Sequence, residues 1–226
     1  MLTLVLAEAE VERIPEEILT HPVILAYARQ KGKDPAQLIL DSNYHHAAMT
    51  TLPEGRRRGR PDIAHLFLLT ALESIVNKQG QLTLLIHTRN NDVIQVDPKT
   101  RIMRNYERFL GLLEQLFKNQ VVPEKNPPLL TLQRKVLLPQ VIEQAKADAV
   151  IVFSKQGTSI SLPRYFAEMK QQKKRHLLCV VGGFPSGAFQ TDLTTIATER
   201  LSVYPDVLPA WTVASEILVN YENVFL

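Results

Sequence analysis

The chain has 226 residues, 45% of them apolar and 22% charged, with a formal net charge of +3. That length buries a full core, and that balance excludes a disordered or fibrous chain. One cysteine, Cys179, excludes an internal disulfide framework, and no apolar run approaches the length of a membrane span. The first residues lack the basic-then-apolar design of a secretion signal, so the expectation is a cytoplasmic protein without a membrane partner. The isoelectric point near 9.0 hints at an anionic partner.

In chain order, LTLVLAEAEVERIP opens as a strand, and a helix follows to Lys31-Gly32. LILDSN (38–43) reads as a short strand leading into a helix cap. From Pro61 to Asn77 the chain is apolar on nearly every face, which predicts a buried helix with Pro61 at its first position. QLTLLIHTRNNDVIQVD (81–97) reads as a β-hairpin around Asn90-Asn91, and RNYERFLGLLEQLFKN (104–119) as an amphipathic helix. The proline-rich stretch VVPEKNPPLL is the best internal boundary. Beyond it the pattern alternates: helix 139–147, strand 149–154, helix 162–174, strand 176–183, a short run near 199–204, and a last helix from about Pro209 to Tyr221. Apolar strands alternating with helices predict an α/β fold with a parallel sheet. No internal repeat or low-complexity tract interrupts it.

Three features carry candidate chemistry. The first is CVVGGFPSGAF (179–189), an apolar strand running into a glycine-rich loop. Ligands sit beyond the carboxyl ends of parallel strands, and glycines there admit close backbone approach. It is neither a Walker loop nor a Rossmann fingerprint, and on its own it serves equally as a set of turns. The second is Arg101, Arg104 and Arg108. Offsets of three and seven put all three on one helical face, within roughly 60° of arc. Arginine used three times without lysine points to phosphate contact, because its fork matches phosphate oxygens. The third is RRRGRPDIAH (56–65), where Asp62 falls in the first turn of a helix. That is the ordinary place for a macrodipole partner, and also a place where backbone N–H groups and arginines gather an anionic ligand. Arg56–Arg58 read as a solvated, flexible basic approach, with Arg60 and Asp62 as a separate rigid site. Lys170, Lys173, Lys174 and Arg175 form a further basic cluster. His45 and His46 point to different helix faces and have no metal-ligand partners in sequence, so no metal is expected. Cys179 reads as a small core residue, and Ser154, Ser186 and Ser202 lack a nucleophile elbow.

Taken together, LILDSNYHH (38–46), RRGRPDIAHLFLLTALESIVNKQGQL (57–82), VDPKTRIMRNYERFLGLLEQL (96–116), VVGGFPSGAF (180–189) and ERLSVYPDVLPAWTVASEIL (199–218) resemble the small-subunit ribosomal RNA pseudouridine-N1 methyltransferases. This is the nucleolar essential protein family of the SPOUT superfamily, and the resemblance is to an archaeal-type member. It implies a single SPOUT methyltransferase domain over 1–226: a parallel sheet flanked by helices with a C-terminal trefoil knot, plus a β-hairpin/helical insertion. The RNA-binding insertion would span about 43–120 and the knotted cofactor-binding part about 149–226. The implied cofactor is S-adenosylmethionine, held by three loops. The first falls near Phe153–Gly157. The second carries Gly182, Gly183, Phe184 and Gly187; the third carries Leu201, Ser202, Tyr204, Leu208, Pro209 and Ala210. The tract between Tyr204 and Trp211 departs from the shorter tyrosine-proline-leucine pattern of eukaryotic members.

The resemblance further implies a homodimer that binds a small-subunit ribosomal RNA hairpin through Arg60, Arg101, Arg104 and Arg108. Methyl would pass to N1 of a pseudouridine, with Asp62 orienting the base and accepting its proton, and Arg60 supporting Asp62 or neutralising charge on the pyrimidine. The alternative is an RNA-binding ribosome-assembly factor whose methyl transfer is secondary.

Overall fold

A computed structural model describes residues 1–124 and 127–226. Its centre is one eight-stranded sheet in the order β4-β5-β3-β2-β1-β7-β6-β8. Strands β1 (Leu2–Ala9), β2 (Leu82–Thr88), β6 (Ala149–Ser159), β7 (Leu177–Gly182) and β8 (Glu199–Ser202) run parallel. Strands β3 (Val93–Val96), β4 (Val121–Val122) and β5 (Leu130–Gln133) extend the sheet antiparallel beyond β2.

β1 is buried at every position because it faces a core on both sides. Leu2, Leu4 and Leu6 point into the larger core, with α3 (Pro61–Leu72) and α8 (Ala210–Phe225). Val5 and Ala7 point to the opposite face, against Leu138 and Ile142 of α6 (Leu138–Ala145) and against Leu193. The larger core also takes α5 (Tyr106–Asn119) and α7 (Leu162–Gln171). A strand covered on both faces needs no polar alternation, which is why β7 reads as an unbroken apolar run and β1 as a mostly apolar one, broken by the buried Thr3 and Glu8. α1 (Pro22–Lys31) and α2 (Ser42–Met49) pack as a third small cluster around Ile24, Leu40 and Met49. No helix among the described residues is long and apolar enough to cross a membrane. Among the described residues, no group of three His, Cys, Asp or Glu side chains is placed to hold a metal.

The structure departs from the sequence expectations where local caps override periodicity. The expected helix 61–77 breaks after Leu72, because Ser74 Oγ accepts from the Asn77 N–H at 3.2 Å and starts a new short helix, α4 (Ile75–Lys78). LILDSN is not a strand: it makes one antiparallel bridge, Arg13 to Ile39, and Asp41 then caps α2. The expected boundary at 121–130 is not an edge of the fold. β4 and β5 flank it and join the common sheet, with Leu132 opposite Ile94. Lys125 and Asn126 of that stretch lie outside the described residues. β2, between β1 and β3, and α3, against β1, build the stretch 43–120 into the central sheet and core.

Candidate active site

The first turn of α3 is set by its sequence. Pro61 takes the first helical position, where its missing N–H costs nothing, and Phe67, Leu68 and Ala71 bury the helix behind it. Arg60 precedes it in a non-helical conformation, and its backbone N–H donates to the Glu10 carbonyl at 2.9 Å. From there the guanidinium folds over the helix mouth. Nε donates to Asp62 Oδ1 at 2.8 Å and Nη2 to Oδ2 at 2.7 Å. Both side chains stay about 30% exposed, so the pair is solid but open on one side. The hydrogen bond to Asp62 holds the Arg60 guanidinium more firmly protonated than usual.

Behind this pair lies a second carboxylate. Asp41 is buried; its Oδ1 accepts from the Asn43 N–H at 2.8 Å and its Oδ2 from the Tyr106 hydroxyl at 2.5 Å. Burial pushes its carboxyl up, only partly offset by those bonds. Burial and the bond to Asp41 push the Tyr106 hydroxyl up in turn. His65 Nε2 on α3 donates to the Met103 carbonyl at 2.7 Å, and its ring stacks on Phe109, fixing the segment that leads into α5.

That segment corrects the arginine geometry. The cap of α5 is Asn105, whose Oδ1 accepts from the Arg108 N–H at 3.0 Å, so the helix begins at Tyr106. Arg101 and Arg104 therefore lie on the extended lead-in and only Arg108 is helical; the three do not share a helix face. All three are exposed.

The reading of Arg56–Arg58 as one solvated approach is also overturned. Arg56 is exposed, but Arg57 is buried. Its Nε reaches Glu10 at 2.7 Å, Nη2 reaches Glu8 at 3.0 Å, and Nη1 donates to the Ala188 carbonyl at 2.7 Å. Arg58 grips both oxygens of Glu12 at 2.8 Å. Arg89 adds a bond to Glu10 at 2.6 Å. Buried charges persist only when paired and hydrogen-bonded, and here three buried carboxylates meet three arginines. The readable signal was Glu8, Glu10 and Glu12, three acids at alternate positions of an otherwise apolar run. Asp41 and Tyr106 were missed as well; neither type is conspicuous alone, and nothing in sequence joins them.

Beyond the carboxyl ends of β7 and β8, and against β6 where its register shifts after Phe153, opens a cavity of about 530 Å³. That is the size range of small-molecule sites. Phe153, Ser154, Lys155 and Gln156 form one wall; Gly182, Phe184 and Gly187 form a second. Ser202, Tyr204, Leu208, Pro209 and Ala210 form a third, and Arg60 closes the rim. Ser202 Oγ donates to the Tyr204 carbonyl at 2.8 Å, shaping the turn before α8. Gly183 and Leu201 do not line the cavity. Gly183 is buried in the backbone crossing behind it, donating to the Ala7 carbonyl at 2.7 Å and accepting from the Glu10 N–H at 3.1 Å. Leu201 points into the larger core. Cys179 is fully buried in β7, and burial pushes its thiol up, as expected of a packing residue.

The sequence model of the EMG1/NEP1 methyltransferase family matches residues 4–222. The ribosomal RNA small subunit methyltransferase Nep1 of Thermococcus kodakarensis is 49% identical over 222 residues, covering 98% of each chain. Its namesake in Methanothrix thermoacetophila is 47% identical over 223 residues, 99% of this chain and 96% of the relative. The crystal structure of Archaeoglobus fulgidus Nep1 bound to S-adenosylhomocysteine superposes with a TM-score of 0.86 at 30% identity, covering 98% of this chain and 97% of that one. The chain belongs to the EMG1/NEP1 methyltransferase family.

Proposed function

We propose that the chain transfers methyl from S-adenosylmethionine to N1 of a pseudouridine in a small-subunit ribosomal RNA hairpin loop. It would act as a homodimer during small-subunit biogenesis in the cytoplasm. One observation carries this reading: Arg60, locked onto Asp62, lines the same cavity as the glycine loop and the segment before α8. The names of the relatives, and the S-adenosylhomocysteine held by the Archaeoglobus protein, support the same chemistry.

The cavity fits a nucleoside carrying an amino-acid tail. Its walls combine apolar faces from Phe184, Leu208 and Trp211 with backbone groups of three loops. Gly182, Phe184 and Gly187 hold the ligand on one side, and Ser202, Tyr204, Leu208, Pro209 and Ala210 on the other, with Gly183 and Leu201 supporting both walls from behind. Bound there, S-adenosylmethionine supplies a methyl group already activated on a sulfonium.

The protein's own task is to place the base and take its proton. Pseudouridine is joined to its sugar through carbon, so N1 carries a hydrogen. Both Asp62 oxygens accept from Arg60, and each keeps a further lone-pair direction for that N1–H. Arg60 thus orients the acceptor, and Asp62 receives the proton. The target base must leave its stack to reach the cavity. Arg101 and Arg104 on the segment leading into α5, and Arg108 in its first turn, are exposed and contact the RNA phosphates in this reading. Tyr204 and Val207, beside the cavity, are exposed apolar side chains that a second copy would cover. A dimer is expected to sediment at twice the 25.6 kDa of the chain.

The test uses purified protein, S-adenosylmethionine and matched hairpins carrying pseudouridine or uridine. The reading predicts one methyl added at N1 of the pseudouridine and none to the uridine hairpin. RNA binding without transfer would contradict it and favour the assembly role.

A further inference from the structure

We infer that Arg57 is a positioning residue that couples the cofactor loop to the RNA-facing Arg60–Asp62 pair, so that each ligand strengthens binding of the other. The inference rests on the proposed cofactor and RNA reading and goes beyond it. Nothing in that chemistry requires the two sites to communicate.

The geometry forms a short chain of contacts. The Arg57 guanidinium lies 3.8 Å from the centroid of the Phe184 ring, and its Nη1 donates to Ala188 at 2.7 Å, so one side chain holds both halves of the loop 183–189. Phe184 lies over Gly182, where an added Cβ would come within 2.7 Å of the ring, and meets Phe189 edge to face. Gly187, at φ +92°, brings the loop backbone so close that an added Cβ would sit 3.3 Å from Arg57 Nη1. Gly182, Phe184, Gly187 and Phe189 all line the cavity, so a ligand there presses on the surface that Arg57 supports.

On its other side Arg57 is bound to the floor beneath Arg60. Its Nη2 reaches the Glu8 oxygen that also accepts from the Gln190 N–H at 2.8 Å, while the second Glu8 oxygen accepts from Thr191 N–H at 2.7 Å. Its Nε reaches Glu10, whose carbonyl accepts from the Arg60 N–H at 2.9 Å. Only Arg58 and Gly59 separate Arg57 from Arg60 along the chain. A shift of the loop therefore reaches the Arg60–Asp62 pair through buried, hydrogen-bonded groups. Two ligands that both need the loop and the pair in one arrangement order them once between them, which is positive coupling. Lysine cannot replace Arg57, because an ammonium lacks the planar fork that serves Glu8, Glu10, Ala188 and the Phe184 face together.

The experiment measures S-adenosylhomocysteine and pseudouridine-hairpin dissociation constants, each with and without the other ligand. The proteins are the wild type, Arg57→Lys, Phe184→Leu and Arg58→Lys. Arg57→Lys retains the buried charge; Phe184→Leu removes the ring stacked on Arg57 and keeps an apolar side chain in the cavity wall, so the ratio of affinities with and without the second ligand, rather than either affinity alone, carries the test should the first fail to fold. In the wild type, saturating S-adenosylhomocysteine should tighten hairpin binding by about fivefold or more, with the reciprocal effect equal. That factor should fall below about twofold in Arg57→Lys and Phe184→Leu and persist in Arg58→Lys, a pattern that loss of stability alone would not produce. Wild-type coupling retained in both loop variants, or independent binding in the wild type, overturns the inference while leaving the proposed activity standing. A wild type that binds neither ligand overturns both.

Discussion

Asp62 presents both carboxylate oxygens to a single partner: Arg60 Nε and Nη2 hold them at 2.8 and 2.7 Å across the first turn of one helix. The pair costs little strain, because Pro61 between them starts the helix and buried side chains behind it hold the helix in place. What it offers a substrate is an oriented acceptor that remains nearly a third exposed.

The first prediction concerns that acceptor. Asp62→Asn retains the shape but removes the proton-accepting oxygen pair. Single-turnover methylation of a pseudouridine hairpin should slow by ~10²–10⁴. A rate within about threefold of wild type would remove Asp62 from the proton-transfer role.

A second prediction follows from the exposed arginines. Arg101 and Arg104 lie on the segment before α5 and Arg108 within it, off any common helix face, so their contributions to RNA binding should be separable. Each change to alanine should flatten the dependence of log K on log salt by about 0.7–0.9. An unchanged slope in all three variants would show that they do not touch phosphate.

How far the fold was legible depended on how local each determinant is. β1, β7 and the amphipathic α5 follow from apolar periodicity. The break after Leu72 and the late start of α5 depend on Ser74 and Asn105, single capping residues that outweigh the pattern around them. The burial of Arg57 and the half-buried pairing of Arg58 depend on Glu8, Glu10 and Glu12, some 47 residues away, so a run that looks solvated by composition is an ion network with buried carboxylates. β4 has two residues and exists only because β5 accepts it, which no window of sequence contains. Of the candidate site, the Arg60-Pro61-Asp62 turn and the glycine loop stood out in the text. Asp41 and Tyr106 did not, because they meet only in space.

A third prediction is a pH dependence. His45 Nδ1 accepts from the Asp41 N–H at 3.0 Å, so the ring proton sits on Nε2, which has no partner among the described residues. A second proton would face that amide N–H, and burial lowers the ring from 6.5 to about 4. The unfolded chain takes up this proton near 6.5 and the folded chain only near 4. Stability is therefore full above pH 6.5, falls as the pH drops towards about 4, and loses on the order of 3 kcal/mol over that window. Asp41, raised by burial, titrates with the opposite sign, so the comparison must be with His45→Gln. Urea unfolding at pH 7 and pH 5 should show a smaller difference in the variant; equal differences would contradict the assignment.

The fourth prediction separates support from contact in the glycine loop. An added Cβ at Gly183 would lie 2.6 Å from the Ala9 Cα, and β1 is held on both sides by the sheet. Gly183→Ala should cost about 1–3 kcal/mol of stability by overpacking, read as a lower melting temperature. An unchanged melting temperature with lost S-adenosylhomocysteine binding would instead make Gly183 a direct contact.

The central claim is the modification itself. Nucleoside mass spectrometry of small-subunit ribosomal RNA, from cells with and without this protein, reads it directly. The account predicts one N1-methylpseudouridine, present with the protein and lost without it, with the parent pseudouridine left in its place. An identical modification profile in both cells would contradict it.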